Sequence, residues 1–404
     1  MKKVPTKLSC TPMASELVKQ VLTSSNFQLI SNKSIKKSGL RVAFFVFKRS
    51  KFEEHFNPSF MKKYAIVFCL LSVVALAQKP VKITSLPADK KVEVKIGGSL
   101  FTNYFYPGKD VLKKAVLYPV LSPKGTIITR GWPLDPRKNE RVDHPHHVGV
   151  WLNYESANGH DFWNNSIEVE KAKDPRTFGT IVHTGITKIK SGKKTGELVV
   201  TADWLDKNGN KMLEETTRFV FEGNRTSNIV DRITTLKAVV DKVVFKDVKD
   251  GLFAIRLARE LELPSNKPEV FTDAAGLATK VPMMNNEGVS GNYLNAQGVK
   301  GEDTWSKRSE WVTLQGNIEK EDISVTIIDH PTNINYPSYW HSRGYGLFSV
   351  NPLGEKAFTN GAKETNKTIT KGESITFKYR LAISSTKLSA AEIELMSQNF
   401  AKRY

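Results

Sequence analysis

The sequence predicts an all-β protein, a large antiparallel β-sandwich carrying a short C-terminal helix, and three observations predict it. From Lys79 to about Lys387 the apolar residues recur at period two rather than 3.6. Tight-turn signals interrupt that pattern at short intervals. A helix-starting pattern stands out only near the end, at Ser389.

In chain order, Val92-Glu93-Val94-Lys95-Ile96 alternates strictly and Gly97-Gly98 turns the chain. The stretches 186–190, 198–202, 216–221, 229–233 and 323–328 alternate or run β-branched, as half-buried strands do. Between them fall Pro123-Lys124-Gly125, Asn158-Gly159, Lys207-Asn208-Gly209-Asn210, Glu222-Gly223-Asn224 and Lys371-Gly372-Glu373. With no helices of a dozen residues alternating with strands, an antiparallel sandwich is favoured over a doubly wound sheet. Residues 264–299, rich in Asn, Pro, Ala and Gly, are expected to form a long excursion over one rim. Ser389 with Glu392 has capping-box spacing, and Ile393, Leu395, Met396 and Phe400 follow as an apolar face, so a helix is expected over 389–402.

The chain has 404 residues and a formal charge of +19, which invites a nucleic-acid or membrane-surface role. Residues 1–77 hold 13 basic and 3 acidic side chains, leaving 47 against 38 for the remainder. What remains is scattered rather than gathered into a stripe, so no nucleic-acid partner is expected. Met61-Lys62-Lys63, the apolar run 64–76 and Ala75-Leu76-Ala77 read as a signal peptide over 61–77. The alternative, a membrane anchor, needs about 20 apolar residues, more than this run supplies. Export to the periplasm or the extracellular space is therefore expected, with no stable membrane span. Residues 1–60, rich in Lys and Ser, read as a mis-called extension ahead of a true start at Met61 and are expected to be disordered, and 78–404 as a single domain.

Both cysteines, Cys10 and Cys69, precede residue 78, so chemistry in the mature chain falls to His, carboxylates, Lys, Arg, Tyr and hydroxyls. Seven histidines remain, three of them in Asp143-His144-Pro145-His146-His147; Asp329-His330-Pro331 repeats the triplet, and Tyr339-Trp340-His341-Ser342-Arg343 follows. In an extended strand His144 and His146 share one face, a pair suited to acid/base work on a sugar hydroxyl or to a metal ion. Buried histidines near Pro turns are more often hydrogen-bonded core residues, but here several titratable groups converge with aromatic rings. Trp151, Trp163 and Trp340 are candidate stacking surfaces for sugars, or equally sandwich core. Arg130, Asp161, Lys249 and Arg343 are further polar candidates for substrate binding. Phosphate-loop, dinucleotide, His-Glu-x-x-His and Gly-x-Ser-x-Gly patterns are absent.

The assigned roles make His146 and His341 acid/base groups, with Asp143 and Asp329 orienting imidazoles in a cleft lined by both Asp-His-Pro segments. His144, His147 and His330 are the alternative ligands of a divalent metal. The substrate would be a carbohydrate or glycoside. A non-catalytic glycan-binding protein is the competing reading.

The motifs Asp143-His144-Pro145-His146-His147-x-Gly149-x-Trp151, Lys249-Asp250-Gly251 with Ile255-Arg256, and Trp340-His341-x-Arg343-x-Tyr345-Gly346 resemble a bacterial family labelled "methane oxygenase PmoA", over nearly all of residues 90–385. A particulate methane monooxygenase subunit is an integral membrane protein, whereas no apolar stretch here after residue 77 approaches 18 residues, so methane oxygenation is disfavoured. The resemblance implies instead a secreted, carbohydrate-related domain. Its β pattern is similar to galactose-mutarotase-like supersandwiches, which host epimerases, lyases and glycoside-processing enzymes.

Overall fold

The computed structural model describes residues 8–10, 28–37, 40–48 and 78–404, apart from 274 and 282–284. Two compact units divide the chain, Met1–Leu76 and Ala77–Tyr404. In the first, β1 (Leu8–Cys10), β2 (Gln28–Lys37) and β3 (Leu40–Lys48) pair antiparallel in the order β1-β3-β2, regular structure where the sequence shows no sustained period. The signal-peptide segment 61–77 lies outside the described residues.

The second unit is the antiparallel sandwich that the alternation predicts. One eight-stranded sheet runs, edge to edge, β4 (Val81–Leu86), β5 (Lys91–Ile96), β6 (Ser99–Phe105), β7 (Val116–Val120), β8 (Val150–Tyr154), β14 (Gly251–Arg256), β21 (Leu347–Asn351) and β20 (Tyr339–Ser342). The other runs β9 (Thr180–Lys190), β10 (Thr195–Leu205), β11 (Lys211–Gly223), β12 (Ser227–Ala238), β23 (Ser374–Ser384), β19 (Glu321–Asp329), β18 (Trp311–Ile318) and β17 (Asn292–Asn295). Short ribbons join β13 (Lys242–Phe245) to β22 (Lys367–Thr370) and β15 (Glu269–Thr272) to β16 (Ala278–Val281). The expected excursion 264–299 is thus partly strand, since it supplies β15, β16 and the edge strand β17.

Inward residues of both sheets form one core. β10 alternates buried and half-buried along its whole length, the pattern of a strand with one face on a core. Phe253 of β14 stacks on Tyr379 of β23 with centroids 5.1 Å apart, joining the layers. The central strands β8, β14 and β21 differ, being buried at every position. Their outward residues Trp151, Ala254 and Leu347 form a second apolar cluster with Val116, Val148 and Trp163. Antiparallel sheets commonly leave one face to solvent; here loops cover that face, and one of them carries His144, His146 and His147.

Helices are few. α1 (Ile167–Lys171) is capped by Ser166, whose Oγ accepts from Val169 N. α2 (Ala390–Arg403) starts with the predicted capping box, Ser389 and Glu392 each bonding the other's backbone N–H. Ile393 and Phe400 bury against Trp311 and Ile328, while Leu395, expected on that face, is exposed. No described helix is long and apolar enough to cross a membrane.

Candidate functional site

The segment 141–147 is a loop, not the extended strand that would put His144 and His146 on one face. His144 takes a left-handed φ of 45° and its carbonyl accepts from His147 N at 3.0 Å, closing a turn around Pro145. Such a φ is uncommon for a residue with a Cβ and persists where surroundings hold it. Here they do. Arg130, buried at the end of the preceding segment, donates to the carbonyls of Arg141 (3.3 Å), Asp143 (2.7 Å), His144 (2.9 Å) and His147 (3.0 Å) and to Asp143 Oδ1 (2.8 Å). Arg130, put forward by the sequence for substrate binding, thus has both terminal nitrogens engaged by the loop and shapes it.

Asp143 sits between charges. Oδ1 also accepts from Arg256 Nη2 at 2.6 Å, and Oδ2 faces His144 Nδ1 at 2.7 Å. Burial alone would raise its pKa, but Arg256, the His144 hydrogen bond and Arg130 hold it well below the carboxylate range. A carboxylate at Nδ1 leaves Nε2 of His144 to act outward, and that side chain is 41% exposed. Asp143 thus orients His144 rather than His146.

The rings form a column: Tyr345 and His144 stack at 5.1 Å, His144 and His147 at 4.8 Å, His147 and Trp151 at 5.2 Å. Arg256 Nη1 donates to His147 Nδ1 at 3.2 Å, so the His147 proton is on Nε2. Burial and the surrounding cations keep His147 and His146 neutral, their pKa values well below the usual imidazole range. Trp151 and Trp163, proposed as stacking surfaces, are 0% and 1% exposed and make the floor. Trp340 does not belong to the site: it points into the sandwich core and donates to Ser309 O at 2.9 Å.

Its neighbour His341 points the other way. Register places His341 opposite Ser349, Ser349 opposite Ala254 and Ala254 opposite Trp151, one row across the outer face. His341 Nδ1 lies 3.2 Å from Asp250 Oδ1, outside hydrogen-bond alignment. Burial, Lys249, Arg343 and His144 depress the His341 pKa strongly. Beside it, Glu155 accepts from Asp250 N at 3.3 Å, and burial with the Asp250 and Asp161 charges pushes its carboxyl up to about 7. Burial raises Asp250 as well. Lys249 is exposed with Nζ 3.7 Å from Asp250 Oδ1. Arg343 is exposed, its guanidinium 5.9 Å from the ring centroids of both Trp305 and Tyr345. Asp161 is occupied locally, accepting from Asn164 N and Nδ2 at 2.9 Å each and from Arg176 at 3.3 Å.

The second Asp-His-Pro segment stands apart. Asp329 ends β19 in the opposite sheet, where it accepts from Asn333 Nδ2 (2.7 Å) and Ser338 N (2.9 Å) and is pushed up to about 6 by burial. His330 packs edge-on against Phe400 of α2 at 5.0 Å. Neither shares a contact with the 143–147 loop, so the single cleft lined by both segments does not form. Asp329 instead anchors the chain entering β20. With His330 removed, the trio His144, His147 and His330 cannot converge, and His147 Nδ1 is already engaged by Arg256. Among the described residues no group of three or more His, Cys, Asp and Glu is arranged to hold a metal ion.

Sequence reading passed over Lys114 and Glu155 and left Asp250, Arg256 and Tyr345 without roles. Period two would have found three of them: 151, 153 and 155 share a face, as do 254 and 256, and 114 and 116.

No curated protein matches the sequence. Among solved structures, the chain is similar to the galactosidase domain of an alpha-galactosidase–sucrose kinase, with 10% identity over 76% of this chain and 42% of that one and a TM-score of 0.34. It is similar to a putative aldose 1-epimerase of Escherichia coli K12 (8% identity, 76% and 99% covered, TM-score 0.28) and to a galactose mutarotase related enzyme of Lactobacillus acidophilus (10%, 76% and 100%, TM-score 0.26). It spans about two fifths of the galactosidase-domain chain and of a beta-arabinopyranosidase chain. A family model described only as a family of unknown function, DUF6807, matches residues 91–398, with no oxygenase label attached. That match covers well over half of the sequence, and the chain belongs to the DUF6807 family.

Proposed function

We propose that this is an exported carbohydrate-active protein that moves protons on a sugar or glycoside at the outer face of the β8–β14–β21–β20 half-sheet. The observation that carries the reading is the Asp143–His144 pair: a carboxylate held anionic by two arginines, 2.7 Å from Nδ1 of an imidazole whose other nitrogen is turned outward. His144 is the general base. Glu155, whose raised pKa keeps a proton available near neutrality, is the matching acid, with His341 and Asp250 beside it. Tyr345 and Arg343 form the rim that meets the ligand.

The test is a panel of aldoses, uronic acids and aryl glycosides followed by NMR for anomeric exchange, epimerisation, elimination or hydrolysis. His144→Gln should lower turnover by about 10²–10⁴-fold, the usual worth of a positioned base, and leave binding within a few-fold. Turnover unchanged in His144→Gln would refute the assignment. A ligand that binds and is recovered unchanged would favour the non-catalytic glycan-binding reading, which the exposed Arg343 between two rings supports.

A further inference from the structure

Behind the His144 turn lies a separate small cavity of about 30 Å³, lined among others by Lys113, Lys114, Pro145, His146 and Glu168. Lys114 is 6% exposed and, among the described residues, has no carboxylate within ion-pair distance. Its ammonium makes one hydrogen bond, 2.8 Å to His146 O, and lies 5.4 Å from the Trp151 ring centroid, so two N–H groups remain. His146 is 7% exposed and neither ring nitrogen has a partner. Any tautomer of that ring carries at least one N–H. The other cation, Lys113, is neutralised by Glu170 at 2.6 Å, and Glu168 is exposed at the mouth. Asp161, the acid acting on Lys114 at longer range, is already engaged by Asn164 and Arg176.

A buried, unpaired ammonium is costly, and a structure that keeps one either sheds the proton or supplies a counter-charge. We infer that this cavity is a subsite for one small anionic group, a halide, a formate-sized carboxylate or the carboxylate of a bound sugar acid, held by the Lys114 ammonium and a His146 N–H. The volume admits one such group and no more. Burial pushes the Lys114 amine down to about 7, and a bound anion would raise it again and keep the ammonium charged through neutral pH. The subsite stands whether or not the proposed proton transfer does.

Thermal melts of the whole chain at mildly acidic pH and constant ionic strength test this, with isethionate, whose tetrahedral sulfonate is bulkier than a carboxylate or a bromide ion, replaced stepwise by bromide, formate or glucuronate, and glucose as the neutral control. The wild type should gain a few degrees in Tm, saturably, with at least one of these anions, and Lys114→Met should gain nothing. A response to bromide or formate assigns a free ion; a response to glucuronate alone assigns the carboxylate of a sugar. No response in the wild type, or an equal one in Lys114→Met, overturns the subsite. Should Lys114→Met not fold, the wild type alone decides by bromine NMR: excess line broadening that saturates with bromide and is reversed by formate supports the site, and broadening that shows no saturation with bromide defeats it.

Discussion

Replacing Arg130 with Lys tests whether that guanidinium builds the loop or serves a ligand. Its two terminal nitrogens reach five acceptors, four backbone carbonyls between residues 141 and 147 and one oxygen of Asp143. An ammonium offers three N–H groups from a single point, so at least two of those acceptors lose their donor inside a buried setting. Hydrogen bonds to charged groups contribute about 1.5–3 kcal/mol each and are not additive within one network. The expected loss is therefore about 3–5 kcal/mol, comparable to breaking a buried ion pair. Urea unfolding of wild type and Arg130→Lys measures it directly, with the midpoint falling and the m-value unchanged. A variant within about 1 kcal/mol of wild type whose sugar affinity collapses would show that Arg130 is a ligand-binding residue and that the loop is held by something else.

Three further outcomes are expected. Glu155 has a folded pKa of about 7 against about 4.3 for a free glutamate, so it binds more protons folded than unfolded, and its contribution to stability is lost as pH rises between those values. After allowance for partial exposure the loss is about 1–2 kcal/mol, and Glu155→Gln should flatten the stability profile over that window in urea titrations at stepped pH. Trp340→Phe removes the bond to Ser309 O and core volume, costing about 1–3 kcal/mol by chemical denaturation, while sugar affinity measured by calorimetry stays unchanged. Ser389→Ala deletes the α2 cap and should cost about 1 kcal/mol in the same unfolding assay; a cost near zero would mean that Ile393 and Phe400 hold the helix start without it.

Period two and turn chemistry made strands such as β5 and β10 legible, because each alternates between a face on the core and a face nearer water. The same signal vanished where strands are buried on both faces. β8, β14 and β21 are buried at every position, so period two shows which of their residues share a face, as 153 and 155 do with Trp151, while which face turns outward follows from pairing. That is why Trp340 and His341, adjacent in sequence, looked like partners when one serves the core and the other the site. The repeat of Asp-His-Pro misled for a related reason: local chemistry was the same, while the sheet each copy belongs to is set by long-range order. His144 was legible as a titratable group, but not its exposure, which depends on a left-handed turn clamped by an arginine 14 residues earlier.

The doubly covered strands also set how the protein breathes. Amides of β8, β14 and β21 are shielded by core on one side and by the Trp151 cluster on the other, so their hydrogen exchange should require global unfolding. The loop bearing His144 lies over that floor and the turn bearing Arg343 joins β20 to β21, and both are expected to exchange by local opening short of global unfolding. Ligand binding should then slow exchange in residues 141–147 and 343–346 while the strands beneath stay at their limit, leaving a floor that cannot yield and a rim that can.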